Sequence, residues 1–361
     1  MTGLSSTRAA WGSPSQESAG ALILLYHRVI DLPRDPQLLC VSPRRFARQM
    51  EIIRRRFAPM SLFDLVNALA QGEAPQRAVA VTFDDGYADN LNNAWPVLEG
   101  YEIPATVFVT PRDDGQVREF WWDSLERLIL SSPILPECLE ITAAGQRRQW
   151  RIDRDDRPSA EDAGWNVLSS APHSARQRLY LSLCEMLRPL NEPQRRGIVD
   201  ELFERFEMAF EPRPTHRALS ALEIIRLAGS DLIEVGAHTL SHPRLAALPP
   251  DQQSAEIVGS KERLETILER EVSSFSYPYG GRDDYTEQSV AAVREAGFVC
   301  ACSNPGRTPS REGLVLPGCD PFQLPRVLVR DWDGEEFESR LESAWFACTG
   351  AGRNDHVAAH A

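Results

Sequence analysis

Several marks of whole protein classes are missing from this sequence. Cysteine is sparse and scattered: seven residues (40, 138, 184, 300, 302, 319 and 348) form an odd set without a CxxC pair. That pattern argues against a disulfide framework and against a cysteine-rich zinc knot, and it leaves buried free thiols as the default. A dense Lys/Arg block is also absent, and 39 basic against 52 acidic residues give a formal charge of −13. A nucleic-acid backbone or an anionic membrane surface is therefore a poor partner. No run approaches the roughly 18 apolar residues of a membrane span. The N-terminal "MTGLSSTRAAWGSPSQESAG" lacks an apolar signal-peptide core, which points to a cytoplasmic protein. No repeat with a period of about 20–50 residues recurs, and no obligate protein partner is evident.

What is present is a globular composition, 42% hydrophobic and 25% charged over 361 residues, enough for one large domain with an insertion or for two domains. Strand-like and helix-like runs alternate. "ALILLYH" (21–27) precedes a helical stretch over 43–57, in which Phe46, Met50, Ile53 and Phe57 recur at helical spacing, and "SLFDLVNALAQG" closes on Gly72. The rhythm continues through "AVAVTF" (78–83), "ATVFVT" (105–110), "LIEVGAH" (232–238), "SSFSYPYG" (273–280), "FVCACS" (298–303) and "FQLPRVLVR" (322–330), with helical patterns at 87–99, 251–270, 284–296 and 334–348. Repeated β–α units predict an α/β fold with a parallel sheet, open or closed into a barrel. The rhythm breaks over 118–216, which predicts a mostly helical insertion between 19–117 and 217–349. The ends, 1–18 and 350–361, carry little apolar content and are expected to be disordered tails, so His356 and His360 stay unassigned.

In parallel α/β folds chemistry gathers at the carboxyl ends of the strands. Asp84 and Asp85 in "TFDDG" follow an apolar strand, where two like charges need a cation, donors or open solvent; a solvated turn is the plain alternative. His238 and His242 in "HTLSHP" stand at i and i+4, which one helical turn would place on a common face. Two His and one Asp from different strand ends form a ligand set with open positions for water and substrate, and the other Asp is free to act as a base. His27 in "LLYHRV" ends the first strand, where a structural hydrogen bond is as good a reading as a chemical one. Pro278 and Tyr279 in "SYPYG" suit a turn that aims a backbone N–H or an aromatic wall into a cleft. Arg326 in "QLPRV" is able to pair a carboxylate, or to face solvent. The cluster Phe120-Trp121-Trp122-Asp123 fits a sugar cleft, but better fits packing of the insertion on the barrel.

Taken in order, "TFDDG", "HTLSHP" and "SYPYG" resemble the polysaccharide deacetylase family of the NodB-homology type, carbohydrate esterase family 4, over most of 20–333 outside the insertion. The resemblance implies a distorted (β/α)7 barrel in which Asp84 is the general base and Asp85, His238 and His242 hold a divalent metal. Zinc is the expected ion, with cobalt, manganese, nickel or iron as alternatives. "LLYHRV" and "YPYG" look like the branch of poly-N-acetylglucosamine deacetylases, in which the His of "YH" is placed to protonate the leaving amine, so the resemblance gives His27 that role, held protonated by a carboxylate neighbour. Many relatives carry an Arg three residues before the Pro of the third motif, against the base Asp; this chain has Phe275 there, and Arg326 is the candidate substitute. "RDWDG" is close to a later Asp-Trp motif of the family, and no Leu-x-x-His follows it, which supports His27 as the acid.

The implied activity is metal-dependent hydrolysis of an N-acetyl or related acyl group on an amino sugar or on a polysaccharide or glycan precursor. Two alternatives are a metal-dependent amidase acting on a non-sugar amide and a non-catalytic sugar-binding barrel.

Overall fold

The computed structural model describes residues 20–111, 118–152, 157–158, 163–169, 171–304, 314–316 and 318–349. The expected tails at 1–18 and 350–361, with His356 and His360, lie outside the described residues.

Six parallel strands follow one another around a curled sheet: β1 (Ala21–Tyr26), β2 (Ala78–Phe83), β3 (Ala105–Val109), β4 (Ile233–Ala237), β5 (Ser274–Ser276) and β6 (Cys300–Cys302). Closure comes from one short segment. Leu324 bridges Cys302 of β6 in parallel, and β7 (Val327–Leu328) pairs with the far side of β1 at Leu24 and Leu25. The ring is thus a distorted (β/α)7 barrel whose seventh strand is reduced to a strap. The strand expected over 322–330 contributes only two ladder residues because it must cross from β6 to β1.

The apolar runs of β1, β2 and β3 are buried at every residue because both faces are covered. Alternation divides them between two cores. Leu22, Leu24 and Tyr26 meet Phe46, Met50 and Ile53 of the helix Pro43–Arg56, whereas Ala21 and Ile23 join Ala80, Phe108 and Cys302 in a separate cluster. Small residues are needed there: a Cβ on Gly236 of β4 would stand 2.5 Å from the Phe108 ring. The helix Pro43–Arg56 starts with Pro at its first turn and ends on three arginines, both suited to helix termini. Among the described residues no helix is long and apolar enough to cross a membrane.

The insertion leaves beyond the carboxyl end of β3, and the bridges Glu119↔Arg217 and Tyr87↔Ala218 tie down its base. It is more than helical. Alongside Ala175–Leu187 and Glu192–Arg205 it contains an antiparallel hairpin, Cys138–Ala143 with Gln146–Arg151. Ala144 and Gly145 turn that hairpin with φ of 48° and 77°. Leu139 and Ile141 from the hairpin pack with Leu128, Tyr180, Leu183 and Leu202 in a core separate from the barrel's.

Candidate active site

The register Tyr26↔Phe83 brings the ends of β1 and β2 level, and the Asp84 N–H donates to the Tyr26 carbonyl at 3.0 Å. The chain then turns through Asp85 and Gly86, each at φ 70°. A left-handed backbone suits glycine, and Asp tolerates it better than bulkier residues. Both carboxylates end up buried, at 3% and 2% exposure. Asp84 does not stand there unpaired. Arg326, on the closing strap, donates from both terminal nitrogens to its two oxygens at 2.7 Å, and the Ser276 hydroxyl of β5 donates to Oδ2 at 3.2 Å. Burial pushes the Asp84 carboxyl up, but the Arg326 guanidinium and then His238 outweigh it and hold the carboxyl below its usual range.

His238 and His242 do not occupy a helical turn. They lie in a loop after β4, with Thr239 at φ 62° and His242 at φ 56°, and it is these two left-handed residues that bring the imidazole rings to 5.0 Å. Pro243 follows at once, and the loop geometry replaces the i, i+4 face expected from the spacing. Both rings are buried, with Nε2 of His238 and of His242 3.6 and 3.3 Å from Asp85 Oδ1. One donor atom from each of Asp85, His238 and His242 lies within 4.8 Å of the others. His238 Nδ1 meets the Ser276 carbonyl at 2.7 Å. A carbonyl only accepts, so the proton sits on Nδ1, and neutral His238 aims the Nε2 lone pair at a carboxylate. Two lone-pair atoms facing each other call for a proton or a metal cation between them, and the donor set fits a divalent ion.

The protonation tendencies agree. Burial lowers the His238 pKa, but Asp84 and Asp85 overcome it and raise the value, as expected where a positive charge is missing between them. Burial brings His242 down to about 4 against the pull of Asp85, leaving a neutral imidazole near neutral pH. Asp85 is raised by burial and lowered more strongly by the two histidines beside it, so it is held well below the carboxylate range.

Tyr279 stands across the loop from His242, their rings 4.8 Å apart, with its backbone at φ 62°. Gly280 N–H turns back to the Pro278 carbonyl, while the Tyr279 N–H has no acceptor among the described residues. Phe120 and Trp122 stack at 4.6 Å and close the other side of the His242 ring, Trp122 at 5.0 Å. The aromatic cluster thus packs against the candidate metal centre.

His27 directly follows β1, half-buried, its ring without a hydrogen bond among the described residues. The expected carboxylate neighbour is not bonded to it. Burial lowers its pKa, and Asp85 and Asp84 only partly offset this. Its backbone is fixed instead by two residues that the sequence reading passed over. Asn90 donates to the His27 carbonyl at 2.8 Å, and Asp89 accepts from the Val29 N–H at 2.8 Å while pairing buried Arg28 at 3.0 Å. Their only signal was adjacency to "TFDDG".

The polysaccharide deacetylase family model matches residues 71–130 and 215–301, two stretches that hold the Asp84–Asp85 turn, the His238–His242 loop and Tyr279. Over these residues the barrel is similar to a polysaccharide deacetylase domain. The match to this domain breaks between 131 and 214, so it includes Phe120–Trp122 and omits the hairpin and the two long inserted helices. A Bacillus subtilis protein named as a polysaccharide deacetylase, YxkH, is 29% identical over 339 residues, 93% of this chain and 80% of its own length. The poly-β-1,6-N-acetyl-D-glucosamine N-deacetylase of Escherichia coli K12 is 28% identical over 88 residues, which is 24% of this chain and 13% of that protein. Among solved structures, IcaB from Ammonifex degensii shares the deacetylase fold with a TM-score of 0.53 at 18% identity, covering 91% of this chain and 98% of its own. Streptococcus pyogenes deacetylase PplD, solved with acetate, gives 0.51 at 16% identity, with 90% and 99% covered.

Proposed function

We propose that this chain is a metal-dependent hydrolase that removes an N-acetyl or related acyl group from an amino sugar or glycan, releasing a free amine and the acid. The observation that carries the reading is the convergence of Asp85, His238 and His242 beside a carboxylate, Asp84, that Arg326 keeps ionised. The names of the relatives support an N-acetylated sugar as the substrate class. Zinc is the default ion for such a donor set, with cobalt, manganese, nickel or iron as alternatives.

Amide hydrolysis needs an activated water, relief of charge on the carbonyl oxygen and a proton for the departing nitrogen. Asp85, His238 and His242 would hold a divalent ion, which would supply Lewis-acid polarisation and acidify water. Asp84 takes the proton from the attacking water. Arg326 and Ser276 occupy only part of its acceptor capacity, since a carboxylate offers about four lone-pair sites. The free Tyr279 N–H, turned by its left-handed backbone after Pro278, donates to the oxygen as charge develops there. His27, at the end of the neighbouring strand, delivers a proton to the nitrogen.

Acetate release from N-acetylglucosamine oligomers and smaller acetylated sugars, with and without chelator, tests the whole reading. Chelator-sensitive release is expected; sugar binding without acid release, indifferent to chelator, would sink it. His238→Ala and His242→Ala are each expected to lose stoichiometric metal, because two remaining ligands hold a divalent ion poorly. Full occupancy in both variants, measured by metal analysis, rejects the ligand assignment.

A further inference from the structure

We propose that Arg195, on the inserted helix Glu192–Arg205, is a positioning residue for the metal centre, holding the His238–His242 loop in the shape that turns both imidazoles onto Asp85. The proposal rests on the metal-centre reading above and adds to it a residue from the part of the chain that the family model does not match.

Arg195 is 1% exposed, and its two terminal nitrogens donate to the carbonyls of His242 at 3.0 Å and Ser241 at 2.9 Å. These contacts lie on a loop whose shape is costly by itself. Thr239 and His242 are both left-handed without being glycine, and such backbone persists only where the surroundings over-determine it. Within the loop Thr239 Oγ1 accepts the His242 N–H at 3.1 Å, and from the barrel side Glu256 accepts from the Ser241 N–H at 2.9 Å. Arg195 supplies the opposing hold from the insertion.

The two histidines differ in how much they need it. His238 is oriented by its Nδ1 hydrogen bond to Ser276, the kind of outer contact that fixes most metal-binding histidines. Among the described residues the Nδ1 of His242 is buried without any partner. No hydrogen bond from those residues sets the His242 ring, so its aim depends on a fixed backbone and on the rings of Trp122 and Tyr279 around it. Removing the guanidinium releases two carbonyls and frees a left-handed residue to relax, which swings Nε2 away from Asp85.

The test is zinc titration of the full chain by calorimetry against a competing chelator. Arg195→Met is expected to raise the zinc Kd by about 10–100-fold, the usual scale for loss of an outer contact, and to shrink the rise in Tm that zinc produces. Arg195→Lys is expected to recover part of the affinity, since one ammonium reaches one carbonyl at a time. If Arg195→Met does not fold, Arg195→Lys carries the test, with an intermediate Kd expected. Arg118→Ala serves as the comparison, removing the 2.7 Å ion pair to Asp200 on the same helix without touching the loop. Wild-type zinc affinity in the Arg195 variants overturns the proposal, as does equal weakening in Arg118→Ala, which would mean general loosening of the insertion. A wild-type chain that binds no divalent metal overturns the metal-centre reading itself, and this proposal with it.

Discussion

Asp84→Asn is expected to keep its metal and lose about 10²–10⁴-fold in deacetylation rate, the usual worth of a general base, whereas Asp85→Asn loses the metal as well. The two carboxylates are adjacent in sequence but face different partners. Asp85 Oδ1 lies 3.6 and 3.3 Å from the two histidine Nε2 atoms, while Asp84 spends both oxygens on Arg326 and is 3.9 Å from the nearest histidine nitrogen. An asparagine at 84 still offers one oxygen to the guanidinium but takes no proton at neutral pH. It also leaves a buried arginine without its counter-charge, for which removal of one partner of a buried pair costs about 3–5 kcal/mol. A lower Tm should therefore accompany the rate loss. Metal analysis and single-turnover kinetics on both variants decide the matter: equal metal loss in the two would abolish the division of labour.

The same pair sets the acid side of the pH profile. Asp84 is held below its usual pKa by Arg326, so the base stays ionised, and activity that needs it falls only as pH drops through that depressed value. Arg326→Met removes the main lowering influence while burial continues to push the carboxyl up. The ascending limb of kcat/KM is expected to move to higher pH, and Asp84's contribution to stability to be lost earlier as the solution is acidified. An unmoved limb in a folded variant would mean that Asp84 is not the titrating base.

How much of this was legible in the sequence depends on the kind of contact involved. The β–α rhythm announced itself because strands buried on both faces are written as unbroken apolar runs, as in "ALILLY" and "AVAVTF". The inserted hairpin did not, since its turn is Ala144-Gly145 rather than the Asn-Gly or Asp-Gly that signals a tight turn. The spacing of His238 and His242 suggested a helical face, but what joins them is two left-handed residues with no sequence signature of their own. Arg326 could be singled out because Phe275 stands where an arginine would be expected, and the strap that closes the barrel carries its guanidinium back to Asp84. Arg195 could not: its partners are backbone carbonyls nearly fifty residues away in "LSHP", and carbonyl acceptors leave no trace in side-chain pattern.

His27→Ala is expected to lower kcat by about 10²–10⁴-fold, the range for a lost proton donor, with metal content intact and the fold retained. The ring makes no hydrogen bond among the described residues, so truncation removes some packing but strands no partner. An amine leaves poorly from the tetrahedral stage unless it is protonated, which places the loss in the step that expels nitrogen. The pH profile carries the sharper expectation. Burial lowers the His27 pKa, and a bound cation nearby acts in the same direction, so the protonated form dominates only below the ordinary imidazole value of about 6.5. A reaction that requires that form declines as pH rises through this depressed value, giving kcat/KM a descending limb on the acid side of neutrality. In His27→Ala that limb should vanish, leaving a low, flat rate above the Asp84 limb. His27→Gln, which can accept and donate hydrogen bonds without titrating, should behave like the alanine variant. Near wild-type rates with an unchanged descending limb in either variant, at full metal occupancy, would remove His27 from the chemistry and leave protonation of the amine to water.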